Sequence, residues 1–218
     1  MRLEGQGLAC ERGERQVFAG VDFSLSPGDL LFLRGANGSG KSSFLRLIAG
    51  LLRPAAGKLL ADDKIVTPDW QALQSRLIYI SHHDPVKPAF SAAENLVFWM
   101  GLAGRKIEYK RGSGGGLVTK NTHDALDMLG IAGLADIPAR LLSSGQRRRL
   151  NLARLAAIPR PLWLLDEPTV GLDAAADGLL AALIARHRAT GGLVIVASHT
   201  DLGVTPTRYL NFGQEQNL

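Results

Sequence analysis

The stretch Gly35–Ser43, which reads GANGSGKSS, decides how this chain is interpreted. Residues 35–42 fit the pattern G-x-x-x-x-G-K-[ST], in which the backbone N–H groups of a glycine-rich loop curl around phosphate oxygens. The apolar run Leu30–Leu33 before it predicts a short buried strand, and the amphipathic run from Lys41 to about Leu51 predicts a helix whose N-terminus attracts anions. A glycine-rich turn without a function would not be expected to have both a strand before it and a helix after it. The stretch therefore predicts a site that binds the phosphates of a nucleotide.

The side chains of this loop have separate expected tasks. Lys41 is expected to reach the β- and γ-phosphates, and the hydroxyl of Ser42 is expected to bind Mg²⁺. The residues predicted to contact the bound nucleotide here are Gly35, Asn37, Gly38, Ser39, Gly40, Lys41, Ser42 and Ser43.

A second run, Pro161–Pro168 (PLWLLDEP), predicts the metal ligand and the base of a hydrolysis site. Its apolar residues predict a buried strand, and Asp166 follows at the C-terminal end, the edge of a parallel sheet where ligands bind. Asp166 is therefore expected to hold Mg²⁺ together with Ser42. Glu167 comes next, and strand alternation would turn it towards the γ-phosphate, where a carboxylate can act as general base on the attacking water. The two motifs predict hydrolysis of a Mg²⁺-bound nucleotide and leave the class of enzyme open.

The rest of the chain predicts an α/β domain with a mainly parallel core sheet. Further apolar runs that predict buried strands are Leu77–Ile80 and Leu193–Ala197, and helical patterns cover about 146–157 and 174–187. The first stretch, Leu3–Leu25, alternates between apolar and polar residues and contains turn residues, which predicts an antiparallel β-subdomain.

Strand patterns are missing between about Ser91 and Leu141. We predict a helical subdomain over residues 91–157, inserted in a single nucleotide-binding domain that spans 1–218. Ser91 and Glu94 form a capping-box pattern ahead of an apolar run, which predicts a helix start. Glycines at 112 and 114–116 predict a flexible linker or an exposed loop inside this subdomain.

Composition and charge limit the possible functions without naming one. The 218 residues suffice for one large domain with a core, and the net charge of +5 permits nucleic acid or an anionic membrane surface as a partner. Cys10 is the only cysteine, which excludes an intrachain disulfide framework. The first residues lack the apolar core of a secretory signal, and no apolar run approaches the roughly 20 residues that span a bilayer. In a membrane process, another chain is expected to cross the membrane.

Further motifs resemble those of ATP-binding-cassette (ABC) proteins. Residues 142–146, LSSGQ, are similar to the LSGGQ signature with Ser144 in place of the first glycine, residues 169–173, TVGLD, resemble the D-loop, and His199 resembles the switch histidine. The resemblance implies a P-loop NTPase fold of the ABC type, ATP as the nucleotide, and a homodimer whose composite ATP sites are completed by the partner's signature. The residues that it implies for this second half of the site are Ser143, Ser144, Gly145, Gln146 and Asp173, and it implies His199 in catalysis.

Two positions depart from the ABC pattern. Where the family often stacks an aromatic side chain on adenine, this chain has Arg12, whose guanidinium plane can also stack on a base. Where the family has the Q-loop glutamine, the segment YISHHDP has His82. We expect His82 either to contact the metal or the attacking water in catalysis, or to couple the ATPase to a membrane partner, and the sequence leaves both roles open.

A narrower resemblance comes from residues 79–99, YISHHDPVKPAFSAAENLVFW. Together with the signature and PLWLLDEP, this segment is similar to the ATP-binding subunits of haem exporters in cytochrome c biogenesis. The resemblance implies an ATPase that drives haem export or the release of a haem-loaded chaperone. It implies integral membrane subunits of a cytochrome c biogenesis complex as partners, and a peripheral position on the cytoplasmic face of a bacterial inner membrane.

The sequence leaves other functions open. The ATPase of a different ABC transporter is one alternative, which its membrane partners would reveal. A soluble ABC ATPase acting on ribosomes or DNA is disfavoured, because such proteins usually carry two cassettes or a long coiled-coil insertion. No nucleic-acid partner is therefore predicted, even though Arg147–Arg149 form a basic cluster. A P-loop kinase is weakened by LSSGQ, which has no task in a kinase.

Overall fold

The computed structural model describes residues 1–13, 15–67, 69–105, 110–111, 117–118 and 120–213. Its strands are β1 (Leu3–Arg12), β2 (Arg15–Leu25), β3 (Leu30–Arg34), β4 (Ala56–Ala61), β5 (Lys64–Ile65), β6 (Leu77–Ile80), β7 (Lys110–Arg111), β8 (Leu117–Val118), β9 (Leu162–Asp166), β10 (Leu193–Ala197) and β11 (Arg208–Asn211). Its α-helices are α1 (Lys41–Ile48), α2 (Gln71–Gln74), α3 (Ala92–Leu102), α4 (Lys120–Asp127), α5 (Ser144–Ala157) and α6 (Ala174–Ala189).

The chain divides into two compact units. The first holds Met1–Tyr79, Arg160–Pro168 and the residues from Ala185 onwards, and the second holds Ile80–Pro159 and Thr169–Ile184.

The first unit begins with an antiparallel sheet in the order β2–β1–β4–β5. β1 pairs with β2 from Leu3 opposite Leu25 to Arg12 opposite Arg15, which confirms the predicted antiparallel strands over residues 3–25. β4 pairs with the other side of β1 and was not predicted, because only the last half of its sequence AGKLLA turns apolar side chains inwards.

The chain also forms a parallel sheet in the order β11–β3–β10–β9–β6. β10 lies between β3 and β9, and every residue of β9 and β10 is buried. Strands buried on both faces need apolar residues at every position, which is why continuous apolar runs predicted β3, β9 and β10 to within one residue at each end. Because the strands are parallel, the loops that follow β3, β9 and β10 leave the sheet at the same edge.

The second unit consists mainly of helices. α3 begins with the predicted capping box, in which Ser91 Oγ accepts a hydrogen bond from Glu94 N and the Glu94 carboxylate accepts one from Ser91 N. α5 begins at Ser144, two residues before the predicted start. Within the predicted helical stretch β7 and β8 form a short antiparallel pair, and Gly112 and 114–116 lie outside the described residues.

The second unit is wider than the predicted helical subdomain of residues 91–157. It also contains the segment that begins at Ile80 and the residues Thr169–Ile184. The bounds of that subdomain within a single 1–218 domain stay a prediction. In the described part of the chain, no helix combines the length and the apolar character that crossing a membrane requires.

Candidate functional site

The start of α1 forms one side of the candidate site. Gly40 precedes the helix with φ 112°, a left-handed conformation that strains any residue with a Cβ, and a Cβ there would also lie 2.9 Å from Val17 Cγ1. None of the described side chains caps this helix, so its first N–H groups lack a side-chain acceptor. The phosphate loop, residues 35–42, thus ends at an open helix N-terminus, as the sequence predicted.

Lys41 is buried at the centre of this loop. Its Nζ donates hydrogen bonds to the carbonyl oxygens of Gly35 at 2.6 Å and Ala36 at 3.0 Å, so the loop closes around the ammonium group. The same nitrogen lies 3.4 Å from Nε2 of His199, which follows β10. The fold therefore brings together Lys41 and His199, which are 158 residues apart in the sequence.

Asp166 lies at the end of β9 and is almost completely buried. Ser42 Oγ donates a hydrogen bond to Asp166 Oδ1 at 2.9 Å, and Tyr79 OH donates one to Oδ2 at 3.2 Å. Burial, followed by the neighbouring Asp166 charge, raises the pKa of Tyr79 to about 12. Tyr79 was not predicted as a site residue, although it is the one hydroxyl in the strand sequence LIYI.

Glu167 is placed by a turn rather than by strand alternation, which differs from the prediction. β9 ends at Asp166, and Glu167 has φ 48°, the left-handed region that non-glycine residues avoid at a cost of about 1–3 kcal/mol. Its N–H donates to Ala197 O at 2.8 Å, which holds the turn against the end of β10. The turn therefore sets the direction in which the Glu167 side chain leaves the backbone.

Glu167 and His199 contact each other twice. Glu167 Oε2 accepts a hydrogen bond from the His199 backbone N–H at 3.3 Å, and Oε1 lies 3.5 Å from His199 Nε2. Nε2 thus lies between an ammonium group that can only donate and a carboxylate that can only accept. A neutral ring with Nε2 unprotonated pairs with Lys41, and a ring that carries a proton there pairs with Glu167.

The residues at the start of α5 lie in the second unit. Ser143 is the N-cap, its Oγ accepts a hydrogen bond from Gln146 N at 3.2 Å, and Gln146 Oε1 accepts one from Ser143 N at 2.8 Å. This complete capping box explains why α5 begins at Ser144 rather than at the predicted Gln146. Ser144 is exposed at the first turn.

Residues of the TVGLD segment pack beside this helix start. A Cβ on Gly145 would lie 2.9 Å from Gly171 O, so only glycine fits without a shift of the chain. Asp173 caps α6 through Oδ1, which accepts from Ala176 N at 2.8 Å, and its Oδ2 lies 3.3 Å from an Arg149 nitrogen. The Asp173 carboxylate therefore has structural partners within the second unit, and its predicted nucleotide contact stays a prediction.

Two further predicted residues are exposed. His82 belongs to the second unit, and its ring lies 3.9 Å from the ring of His83. Arg12 belongs to the first unit, at the end of β1 opposite Arg15. The catalytic role of His82 and the adenine-stacking role of Arg12 both stay predictions.

The donor set fits Mg²⁺ better than a metal held by the protein alone. Asp166 supplies a buried carboxylate and Ser42 a hydroxyl within 2.9 Å of it. Among the described residues there is no group of three or more His, Cys, Asp or Glu side chains that could cage an ion. Mg²⁺ usually takes one or two protein oxygens and completes its shell with water and substrate phosphates.

Sequence comparison gives a family match and close relatives. The family model described as ABC transporter matches residues 18–170. The cytochrome c biogenesis ATP-binding export protein CcmA of Rhodospirillum rubrum is 52% identical over 200 residues, which cover 91% of this chain and 80% of that protein. The CcmA of Paramagnetospirillum magneticum is 47% identical over 219 residues, which cover 97% of this chain and 94% of that protein.

Solved structures give a matching fold at lower identity. An ABC transporter ATP-binding protein of Pyrococcus furiosus is similar with a TM-score of 0.80 and 21% identity, over 97% of this chain and 98% of that one. A dimeric ATP-binding cassette in a post-hydrolysis state with ADP and Pi has a TM-score of 0.79 and 21% identity, over 96% and 94% of the two chains. These likenesses confirm the predicted fold class.

Proposed function

This chain belongs to the ABC transporter family of ATPases, in the group of cytochrome c biogenesis ATP-binding export proteins, and we propose that it powers an export step of cytochrome c biogenesis by hydrolysing ATP. One observation carries the proposal at the level of chemistry. Within the first unit, the His199 side chain lies between those of Lys41 and Glu167 and contacts both. Ser42 and Asp166, the chain neighbours of Lys41 and Glu167, form a separate contact. A phosphate loop, a metal-binding carboxylate and a base are recurring parts of sites that transfer a phosphoryl group to water.

ATP binding is assigned to the phosphate loop and α1. The Lys41 ammonium exchanges its bonds to the Gly35 and Ala36 carbonyls for bonds to the β- and γ-phosphates. The uncapped N–H groups at the start of α1 donate to the same phosphates, with the helix dipole in support. Arg12 is the candidate for stacking on the base.

Ser42 and Asp166 are the residues that would hold Mg²⁺, because their oxygens already lie side by side. When bound, this ion supplies positive charge against the charge that develops on the phosphate oxygens. Tyr79 donates to the other oxygen of Asp166 and so fixes the plane of the carboxylate.

Glu167 is the proposed general base. It takes a proton from the attacking water while the water oxygen bonds to the γ-phosphorus and the bond from that phosphorus to the ADP oxygen breaks. The strained turn at Glu167 and its two contacts with His199 hold the carboxylate in one orientation for this step. His199 is proposed to contact the γ-phosphate through Nε2, which already faces Lys41.

A second copy of the chain completes the site in this proposal. The backbone N–H groups at Ser144 and Gly145 of one copy donate to the γ-phosphate bound in the other, and the capping box of Ser143 and Gln146 keeps that helix end in shape. ATP then joins the two copies, and hydrolysis removes the charge that joins them. The resulting separation converts chemical energy into motion.

The proposed partners are the integral membrane subunits of a cytochrome c biogenesis complex, and the proposed cargo is haem or a haem-loaded chaperone. Support comes from the two relatives named as cytochrome c biogenesis export proteins, which this chain matches over almost its whole length. The chain would lie peripherally on the cytoplasmic face of the inner membrane.

Capture from solubilised native membranes tests the pathway. A tagged Glu167→Gln chain is incubated with ATP and captured, and the proteins that come with it are identified by mass spectrometry. Lys41→Ala is the matched control, because it is expected to lose the ATP-bound state. Membrane proteins of cytochrome c maturation in the first sample would support the proposal. An unrelated permease would overturn the pathway and leave the ATPase intact, whereas ribosomes or DNA-repair proteins would overturn the transporter assignment.

A further inference from the structure

Arg148 is a buried arginine of α5 with no task in the site described above. Its side chain is only 4% exposed, although it stands two residues after the end of the LSSGQ segment. Its NH1 donates to Ser81 O at 2.9 Å and to Asp84 Oδ1 at 2.9 Å. These two acceptors flank His82 and His83 in the sequence, so one guanidinium group holds both ends of the histidine pair.

Neighbouring side chains of α5 hold Asp84 from the same side. Asn151, one turn beyond Arg148, donates through Nδ2 to Asp84 Oδ1 at 2.8 Å. Arg154, a further turn along, donates to Asn151 Oδ1 at 2.8 Å, and its guanidinium carbon lies 4.0 Å from the ring centre of Trp99 on α3. The Asp84 carboxylate is therefore fixed by two donors from successive turns of one helix.

The histidine segment is also closed on itself. Ser81 Oγ donates to His83 O at 3.0 Å, and the rings of His82 and His83 lie 3.9 Å apart. With Ser81 and Asp84 both tied to Arg148, the exposed rings project from a short loop whose two ends are fixed. An exposed loop without such ties would spread its side chains over many rotamers.

The contact between Arg148 and Asp84 is weak evidence for a purely stabilising role. A buried ion pair is a weak stabiliser because desolvation offsets the attraction, and apolar residues of similar volume often serve as well. An arginine that bridges a backbone carbonyl and a carboxylate instead fixes geometry. Arg148 fixes the segment that contains His82, and Arg148 itself belongs to α5, the helix that begins at Ser144.

We propose that Arg148 is a positioning residue that orients His82 for the ATPase cycle and couples that orientation to the helix of the LSSGQ segment. This inference rests on the proposed function and adds one step to it. When α5 responds to ATP, Arg148 transfers its displacement to Ser81 and Asp84 and so to His82. The same clamp serves whether His82 acts at the metal, at the attacking water or at a membrane partner.

A double-mutant cycle on the assembled membrane complex tests the proposal. Arg148→Lys keeps a buried charge for Asp84 but shortens the side chain and removes the planar guanidinium group. Turnover and the KM for ATP are measured for Arg148→Lys, His82→Ala and the double variant. We expect Arg148→Lys to lower kcat about tenfold or more, as misplacement of a site group does, with the KM for ATP little changed. In the His82→Ala background, the same substitution should have no further effect on kcat.

The matched control is Arg140→Lys, an exposed arginine of the same unit, which should leave kcat unchanged. Asp84→Ala is the second variant in case Arg148→Lys does not fold, and its effect should likewise vanish without His82. An equal loss of kcat in both backgrounds would overturn the proposal, because Arg148 would then act through something other than His82. A His82→Ala complex with unaltered kcat would overturn it as well. Failure of the proposed function is distinguishable, since it would appear as full turnover in Glu167→Gln.

Discussion

Helices α1 and α5 both begin at a motif expected to meet a phosphate, yet they begin in opposite ways. α1 follows Gly40 in a left-handed conformation, and none of the described side chains caps it. α5 follows Ser143, whose hydroxyl and backbone N–H are both paired with Gln146 in a complete capping box. At the start of α1, the backbone N–H groups lack a side-chain acceptor and can donate to a ligand. At the start of α5, the Ser143 side chain already accepts a hydrogen bond from one of these N–H groups.

From this difference we propose that the two units have different tasks in the ATPase cycle. α1 combines open N–H groups with the Lys41 ammonium, and both kinds of donor favour binding of phosphate anions. The first three residues of α5, Ser144, Gly145 and Gln146, are uncharged, and the Arg147 side chain that follows donates to Leu142 O at 2.7 Å. We therefore expect the first unit to bind ATP in a single copy of the chain, and the start of α5 to act on ATP that is already bound.

The largest effect, a loss of ATP turnover, is expected from Glu167→Gln. This substitution removes the proposed base and leaves the starts of α1 and α5 unchanged, so it separates hydrolysis from the binding tasks of the two helices. Loss of a general base lowers the rate by about 10²–10⁴-fold. ATP affinity should be retained, since the amide keeps the size of the side chain. Turnover is measured by phosphate release and affinity by titration calorimetry. A variant that hydrolyses ATP at the normal rate would show that Glu167 is not the base.

Lys41→Ala is expected to weaken ATP binding by about tenfold to a hundredfold, the loss that follows from deleting one or two charge-assisted hydrogen bonds. Calorimetry of the single chain measures it, with Ser144→Ala as the control at the other helix. If α1 and α5 have the different tasks proposed here, Ser144→Ala leaves the affinity of the single chain unchanged. Equal losses of ATP affinity in Lys41→Ala and Ser144→Ala would contradict the different tasks proposed for α1 and α5.

Ser143→Ala removes the cap of α5 and should lower the free energy of unfolding by about 1 kcal/mol. Ser91→Ala is a matched control, because Ser91 caps α3 with the same capping box in the same unit. Denaturant unfolding should show similar losses for the two. Only Ser143→Ala should also impair ATP-driven association, and impairment by both would indicate that general destabilisation is the cause.

A smaller effect, on the pH dependence of stability, is expected from His187 on α6, a helix with no proposed contact to phosphate. Its ring stacks on Trp163 at 3.7 Å, and burial lowers its pKa. The unfolded chain takes up a proton there at a higher pH than the folded chain, so stability is present above the ordinary histidine pKa of about 6.5 and falls as the pH drops below it. His187→Gln should flatten the unfolding free energy between about pH 7.5 and 5, whereas exposed His123→Gln should not. An unchanged slope would show that other groups set the acid sensitivity.

The sequence predicted the parts of the fold that depend on local pattern. Continuous apolar runs marked β3, β6, β9 and β10, because those strands are largely or completely buried. β11, with the sequence RYLN, is mostly exposed and gave no such signal. It is a strand because it pairs with β3, a partner about 180 residues away that no local pattern reveals.

The site shows the same limit. Lys41, Ser42 and Asp166 were predicted because fixed spacing and a strand end carry their chemistry. Tyr79 was missed, since its contact with Asp166 depends on β6 lying beside β9. The direction of Glu167 was attributed to strand alternation, whereas a left-handed turn sets it, and a turn with a non-glycine residue at positive φ has no dependable sequence signal.

The most direct test of the division between α1 and α5 is sedimentation velocity of the Glu167→Gln chain with Mg²⁺ and ATP, beside the same chain carrying Ser144→Arg. Both chains should bind ATP with equal affinity, because the phosphate loop of the first unit is identical in the two. Only the chain with Ser144 should double in mass when ATP is added. Dimers of both chains would contradict the account, because the start of α5 would then have no part in joining two copies through ATP.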